Sequence, residues 1–219
     1  MTAGNVAMVG NVCASMSHLA GQLGESADAV RIAEVGLSRV GTASGSVHLV
    51  ARLHAMRARG LAMRGDAGGC RAALGEAERR VDVGQTGLPA EWLAGFDTGS
   101  FASEAALCLR ELGDLIEAER QARQVVRIRA GDRVRSRVFG QLTLAHVLAD
   151  AGRIDEAATI GREVCRVVPS LTSSRVLTRL EGLGAVLTPH RCLPEVAEFL
   201  LALPTACLGR DVTGVEWPV

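Results

Sequence analysis

Histidine is the side chain best suited to metal binding or proton transfer near neutral pH, and this sequence has five of them. No HExxH or HxH pair occurs, and the closest two, His48 and His54, are six residues apart. That spacing places two side chains on opposite faces of a helix, too far apart to share an ion. The sequence therefore predicts no metal site and no cofactor.

Nucleophilic catalysis would need a serine or cysteine beside a base, and no GxSxG motif is present. The glycine-rich segment GDAGGC lacks the lysine of a phosphate-binding loop. The six cysteines form no CxxC pair, which argues against a zinc or redox site and favours a reducing, cytoplasmic setting. Four cysteines lie at apolar positions of predicted helices and are predicted to be buried structural thiols: Cys13, Cys70, Cys108 and Cys165.

All 24 basic residues are arginines, and they balance 24 acidic residues. Direct binding to nucleic acid is therefore not expected without an additional DNA-binding domain. The segment RIRAGDRVRSR could contact an acidic partner, a phosphate or the DNA backbone. The alternative is a solvated turn whose charges pair with nearby glutamates. Its arginines are Arg127, Arg129, Arg133, Arg135 and Arg137, and Asp132 is predicted to be the N-cap of the next helix.

Helices must position these residues, because four segments share a helix–turn–helix pattern around a glycine. The segments are GQLGESADAVRIAEVGL, RGDAGGCRAALGEAERR, ELGDLIEAERQARQVV and DAGRIDEAATIGREV. Their turn glycines, Gly24, Gly65, Gly113 and Gly152, are 41, 48 and 39 residues apart. Glycine ends a first helix in a left-handed conformation at little cost, and an acidic residue soon afterwards suits the start of a second helix.

Two rows of small residues flank these turns. Seven residues before each glycine stand Ser17, Ala58, Ala106 and Ala145, and five residues after it stand Ala29, Cys70, Ala118 and Ala157. Two antiparallel helices approach closely only where the facing side chains are small. The rows therefore predict the line of contact within each helix pair.

These segments resemble the tetratricopeptide repeat, with aliphatic residues at most of its aromatic positions. Pro169 lies where that family often ends a second helix. The resemblance implies an all-α fold, a right-handed superhelical solenoid of about four to five antiparallel helix pairs, in one domain over residues 1–203. The predicted repeats are 5–41, 46–82, 97–130, 132–169 and 171–203, and 204–219 is predicted to be an irregular tail.

Longer segments resemble a narrower family. ARLHAMRARGLAMRGDAGGCRAALGEAERR, FDTGSFASEAALCLRELGDLIEAERQARQVV and DRVRSRVFGQLTLAHVLADAGRIDEA are similar to the C-terminal repeat region of XRE-type helix-turn-helix transcriptional regulators of actinobacteria. In that family a DNA-binding domain precedes the repeats, and nothing in this sequence reads as that domain. The resemblance implies a non-catalytic sensing or dimerisation region. The alternatives are a stand-alone adaptor that bridges protein partners, or an all-helical enzyme that uses histidines and arginines.

The first helices of stacked pairs line the concave face of the array and carry its ligand contacts. The edge of this groove is predicted to be formed by the residues that stand thirteen, six and three positions before the turn glycines. None of these residues is acidic. That favours an anionic small ligand or an acidic peptide; the alternative is a groove filled by another helix of the chain. The family's Lys/Asn/Arg clamp for a peptide carboxylate is not reproduced. The candidate groove residues are His18, Arg52, Arg59, Arg110, Phe139 and His146.

The first predicted helix has no Asp, Glu or Arg as far as Leu23, whereas the end of a repeat array needs a polar cap. Its outer side is predicted to be covered by upstream residues or by a second subunit, which implies a homodimer. At the other end, Val196, Phe199 and Leu200 are predicted to dock inward. No secretory signal and no membrane-spanning apolar run is recognised, so a cytoplasmic protein is expected.

Overall fold

Ten α-helices form most of the regular structure in this computed structural model, which describes residues 3–41, 47–84, 95–129, 133–171 and 173–207. No β-strand occurs among these residues, and the predicted all-α class is confirmed. Two short 3-10 helices, Val168–Ser170 and Thr188–His190, also occur among these residues. The α-helices are α1 Ala3–Gln22, α2 Ser26–Val40, α3 Val47–Met63, α4 Ala67–Gly84, α5 Thr98–Glu111, α6 Leu115–Ile128, α7 Val134–Asp150, α8 Ile154–Val167, α9 Ser174–Leu187 and α10 Pro194–Cys207.

The four predicted turn glycines lie between the two helices of a pair, each with a positive φ. The angles are 85° at Gly24, 72° at Gly65, 77° at Gly113 and 78° at Gly152. In each turn the residue after the glycine donates its N–H to the carbonyl five residues earlier, and the glycine donates to the carbonyl three residues earlier. This pattern is the Schellman C-cap, which satisfies carbonyls that the end of a helix would leave unpaired. The predicted turns are confirmed.

Acidic residues at the starts of the second helices act in two ways. Asp66 accepts the Gly69 N–H at 2.8 Å, and Asp114 accepts the Glu117 N–H at 3.4 Å, so each caps its helix directly. In α8 the acid, Asp155, lies instead in the first turn, where a negative charge favours the positive end of the helix dipole.

Both rows of small residues are buried in all four pairs. Ser17 is 1 % exposed, and the other seven residues have no exposed surface. In the first pair the two rows meet directly, since Ser17 Oγ donates a hydrogen bond to the Ala29 carbonyl oxygen at 2.6 Å. The close approach of paired helices therefore depends on the small volume of these side chains.

The chain divides into two compact units, residues 1–125 and 126–219, here called unit 1 and unit 2. In unit 1, α2 packs against both α1 and α3. An apolar cluster joins these three helices through Cys13, Val40 and Leu53. The prediction of a single domain over residues 1–203 stays a prediction.

In unit 2, α8 packs against both α7 and α10. Phe199 of α10 has no exposed surface and approaches α8 at Gly161, where a Cβ would lie 2.8 Å from the ring. Glycine at this position therefore permits the close contact. Val196 is fully buried as well, and Leu200 is half-buried.

Two predicted boundaries are wrong. Helix α10 continues to Cys207, so residues 204–207 are helical and do not belong to an irregular tail. Pro204 lacks an N–H, but Ala206 beyond it is buried, and this packing supports the last turn. The N-cap position of α7 is occupied by Arg133, because the helix begins later than predicted. Asp132 itself and residues 208–219 lie outside the described residues.

Candidate functional site

The candidate site in unit 1 is one face of α1, α3 and α5, here called the first-helix face. Four of its residues are predicted from the sequence, and all four are half-buried: His18, Arg52, Arg59 and Arg110. Asn11, from the predicted row thirteen residues before a turn glycine, contacts Arg52. The structure adds Ser15 and Glu104 as residues in contact with, or close to, Arg52 and Arg59. The other two predicted groove residues, Phe139 and His146, lie in unit 2.

Arg52 connects α3 to α1. Its Nη1 donates to Asn11 Oδ1 at 2.7 Å, and its Nη2 donates to Ser15 Oγ at 3.3 Å. Burial lowers the pKa of Arg52, and the nearby Glu104 carboxylate opposes that effect. An arginine keeps its proton at neutral pH in either case. The two neutral partners therefore fix the direction of the guanidinium without cancelling its charge.

Glu104 is a residue of this face that the predicted rows miss. Its Oε2 lies 3.8 Å from Arg59 Nε, and the two side chains are only 15 % and 26 % exposed. Glu104 stands nine residues before Gly113, between the rows at thirteen and six. Residues at i, i+4 and i+7 share one face of a helix, so this spacing is a signal that could have found it. The face therefore contains an acid that offsets part of its positive charge.

His18 and Arg110 lie towards the turns that end α1 and α5. The Nε2 of His18 is 2.9 Å from the amide nitrogen of Gln22, one helical turn later. The amide donates this bond when the histidine carries its proton on Nδ1. Arg110 lies in the last turn of α5, where a positive charge favours the negative end of the helix dipole.

In unit 2 the predicted residues Phe139 and His146 lie on α7 and contact α9. The guanidinium carbons of Arg175 and Arg179 are 5.5 and 5.6 Å from the centroid of the Phe139 ring, within cation–π range. Arg179 Nη1 also donates to Thr143 Oγ1 at 3.1 Å. The Nε2 of His146 lies 3.3 Å from the Arg179 carbonyl oxygen and donates to it in the Nε2-protonated tautomer. These five residues form what is called here the α7–α9 face.

The predicted groove residues do not include Arg175 and Arg179, because the last helix pair has no turn glycine on which its sequence could be aligned with the other repeats. Its first helix, α9, is followed by the 3-10 helix Thr188–His190 instead. Arg179 nevertheless repeats the arrangement of Arg52 in unit 1. In both units an arginine of one first helix bonds to a polar side chain on the first helix of an earlier pair.

The arginine-rich segment 127–137 is only partly exposed. Arg127, Arg133 and Arg135 are exposed, whereas Arg129 is 7 % exposed and Arg137 is half-buried. Three of the five predicted arginines can thus meet a partner directly. The charge that this surface presents is smaller than the sequence alone indicates.

The cysteines predicted to be structural are buried. A hydrogen bond from Cys108 lowers the pKa of Cys70, while burial raises the pKa of Cys108 well above its usual value and that of Cys165 to about 11. A buried thiol that holds its proton is a poor nucleophile. Within the described part of the chain, no group of three His, Cys, Asp or Glu residues could hold a metal ion.

A family model of the tetratricopeptide repeat matches residues 138–162. The matched segment contains the Gly152 turn and the parts of α7 and α8 that flank it. No curated protein and no solved structure matches the chain. None of the described helices combines the length and the hydropathy needed to cross a membrane. The chain is thus similar to tetratricopeptide-repeat proteins in its all-α helix pairs, and such repeats act as protein-interaction modules rather than as enzymes.

Proposed function

We propose that this protein is a non-catalytic interaction module that binds an acidic peptide segment on the first-helix face of unit 1. The charge distribution of unit 1 carries the proposal. The first-helix face contains three arginines, Arg52, Arg59 and Arg110, against one acid, Glu104. Arg57 of α3 lies outside this face and pairs with Glu34 of α2 at 3.0 Å. The excess positive charge lies on the helices whose counterparts line the concave side of tetratricopeptide arrays.

Several charges on the second helices of unit 1 pair within their own helix. Arg31 bonds to Asp28 at 3.0 Å within α2, and Glu76 pairs with both Arg79 and Arg80 within α4. Exposed pairs at these spacings contribute little stability, but they cancel charge on the surface that bears them. A charged partner is therefore attracted to the first helices more than to the second helices.

The guanidinium of Arg52 is arranged to receive a carboxylate. It has five N–H donors in a planar fork, and the bonds to Asn11 and Ser15 use two of them. These neutral partners hold the side chain in place before a ligand arrives, which reduces the entropy lost on binding. Arg59 adds a second positive charge, shared with Glu104.

The α7–α9 face of unit 2 offers the same class of contact. Arg175 and Arg179 place two positive charges beside the half-buried ring of Phe139. We include this face as a site for a carboxylate or another small anion.

The proposed biological setting is the sensing or dimerisation region of a transcriptional regulator in the cytoplasm. It is supported by the similarity of three long segments to the repeat region of XRE-type regulators and by the buried thiols, which suit a reducing compartment. In that setting the exposed Arg127, Arg133 and Arg135 would meet an acidic surface of a partner domain.

Fluorescence anisotropy with two labelled peptides of equal length tests the binding proposal. One peptide is rich in Asp and Glu, and the other has Asn and Gln at the same positions. We expect the acidic peptide to bind roughly tenfold more tightly, a difference of about 1.4 kcal/mol, and the preference to weaken as salt is added.

A charge-matched pair of variants locates the site. Arg59→Gln with Arg110→Gln should weaken binding of the acidic peptide roughly tenfold. Arg31→Gln with Arg79→Gln removes the same charge from α2 and α4 and should leave the affinity within about twofold. Equal binding of the two peptides, or an equal loss in both double variants, would contradict the proposal.

A further inference from the structure

Helix α1 and the turn after it expose an apolar stripe. Its five large side chains are between 51 and 69 % exposed: Met8, Val12, Met16, Leu19 and Leu23. Their spacings of four, four, three and four residues place them within an arc of about 80° on an ideal helix. Helix α1 contains no Asp, Glu or Arg. This set of residues is called the α1 stripe.

Three of the five corresponding rows of the second repeat are buried between repeats. The positions 16, 12 and 5 residues before the turn glycine, which belong to the stripe in α1, are Leu49, Leu53 and Gly60 in α3. All three are buried, and Gly60 faces α2, because a Cβ there would lie 2.7 Å from Val30. Of the other two positions, the counterpart of Met16 is Arg57, which is half-buried and pairs with Glu34 of α2, and the counterpart of Leu23 is Arg64, which is exposed. Four of the five rows thus contact α1 or α2 in the second repeat. The α1 stripe is therefore a packing surface that an additional helix would cover.

The occupant must be a helix that offers an uncharged apolar face. Every other α-helix in the described residues carries at least one Asp, Glu or Arg. A charged side chain against the stripe would lose water without gaining a partner of opposite sign. Among the described helices, α1 is the one that lacks Asp, Glu and Arg along its whole length, so the α1 stripe of a second copy matches the stripe in charge.

The spacing of the stripe also suits a twofold contact. When two α1 helices lie antiparallel with the twofold axis midway between positions 15 and 16, the two Met16 side chains flank the axis, and Met8 of one copy lies opposite Leu23 of the other. Val12 in the same way lies opposite Leu19. Each apolar residue then meets an apolar residue, which is the self-complementarity that a twofold dimer requires.

We infer that two copies of this chain associate through their α1 stripes, packed antiparallel about a twofold axis. The stripe spans sixteen residues, about 22 Å of helix from the first to the last. A contact between two single helices of this length buries less total accessible surface than the roughly 1,600 Å² of a standard protein–protein interface. The dimer is therefore one that dissociates on dilution.

The inference does not depend on the proposed peptide site. Asn11, Ser15 and His18, which belong to the first-helix face, fall on a different arc of α1 from the stripe. A chain that dimerises but binds no acidic peptide would overturn the proposed function alone. A chain that binds the peptide but stays monomeric would overturn this inference alone.

Analytical ultracentrifugation over a range of concentrations tests the dimer. The unmodified chain should change from monomer to dimer as its concentration rises through about the micromolar range. Met16→Glu would place two carboxylates together at the centre of the seam, and it should raise the dissociation constant at least tenfold. Leu201→Glu is the control, because Leu201 is an exposed leucine on α10 and is 79 % exposed.

Two outcomes would overturn the inference. One is an unmodified chain that stays monomeric at every concentration, which would leave the stripe to a different protein or to a lipid surface. The other is a Met16→Glu variant that dimerises as well as the Leu201→Glu control. Circular dichroism checks that both variants keep their helix content, which is expected because both side chains are more than half exposed.

Disulfide trapping tests the orientation of the two helices. Met16→Cys, in a background with the exposed Cys192 changed to Ser, should form a covalent dimer under mild oxidation because the axis brings the two positions together. Met8→Cys should form it several times more slowly, since its partner position is Leu23. Equal rates for Met8→Cys and Met16→Cys would contradict the antiparallel arrangement.

Discussion

Ser17 of α1 donates a hydrogen bond to the carbonyl oxygen of Ala29 in α2 at 2.6 Å, where the two rows of small residues meet in the first helix pair. Both residues are buried. The other three pairs have alanine at the position of Ser17, so the pairing of the helices does not require the bond. The shared property of the row is its small volume, and the hydrogen bond satisfies the one hydroxyl group that the row contains.

Replacing Ser17 distinguishes the contribution of volume from that of the bond. Ser17→Ala should lower the free energy of unfolding by about 1 kcal/mol, because it removes one hydrogen bond and leaves no cavity larger than the lost oxygen. Ser17→Leu should lower it by about 3 kcal/mol, since the larger side chain must separate α1 from α2. Urea unfolding followed by circular dichroism measures both. A larger loss for alanine than for leucine would show that the bond matters more than the volume.

Changing a turn glycine should be more damaging than changing a glycine inside a helix. Gly113 has φ of 77°, a conformation that L-residues rarely adopt, so Gly113→Ala should destabilise the fold by about 1–2 kcal/mol. Gly182 in α9 is the control, because a Cβ there would meet no atom within 4 Å. Gly182→Ala should stabilise the fold by about 0.5–1 kcal/mol, since alanine favours the helix. Thermal or urea unfolding of the two variants should therefore shift in opposite directions.

The features that could be predicted from the sequence are those set within one helix pair. A turn such as Gly113 needs a residue that tolerates positive φ, and positions such as Ala145 need a small side chain, so spacing alone reveals both. Contacts between pairs depend on which side chains of two distant segments face each other. Glu104 and Arg179 belong to this second kind. The extension of α10 to Cys207 likewise depends on tertiary packing that overrides the helix-breaking tendency of Pro204.

Removing the charge of Glu104 should strengthen binding of an acidic peptide to the proposed site. Glu104→Gln keeps the shape of the side chain but leaves the Arg59 guanidinium without its carboxylate partner, so a ligand carboxylate can replace it. We expect the affinity to rise about twofold to fivefold, an effect that shrinks at high salt. Glu111→Gln, at the exposed end of α5, is the charge-matched control. A Glu104→Gln variant that binds no better than Glu111→Gln would argue against Arg59 as a ligand contact.

Acid should destabilise unit 1 through His54. Burial, with smaller effects from Arg80, Arg57 and Arg79, lowers the pKa of His54 from 6.5 to about 4, and Glu76 opposes the shift. His54 therefore becomes protonated near pH 6.5 in the unfolded chain but only near pH 4 in the folded chain. The contribution of His54 to stability is fully present above pH 6.5 and is lost as the pH falls towards 4.

Urea midpoints measured at several pH values between 7 and 4.5 check this effect of His54, since its pKa shift lies largely in that window. The unmodified chain should lose stability steadily across the window, whereas His54→Gln, which cannot titrate, should lose less. His190→Gln, at an exposed position after α9, serves as the control and should follow the unmodified chain. Parallel curves for the unmodified chain and His54→Gln would mean that His54 is not the group responsible, and that carboxylates such as Glu76 account for the acid sensitivity.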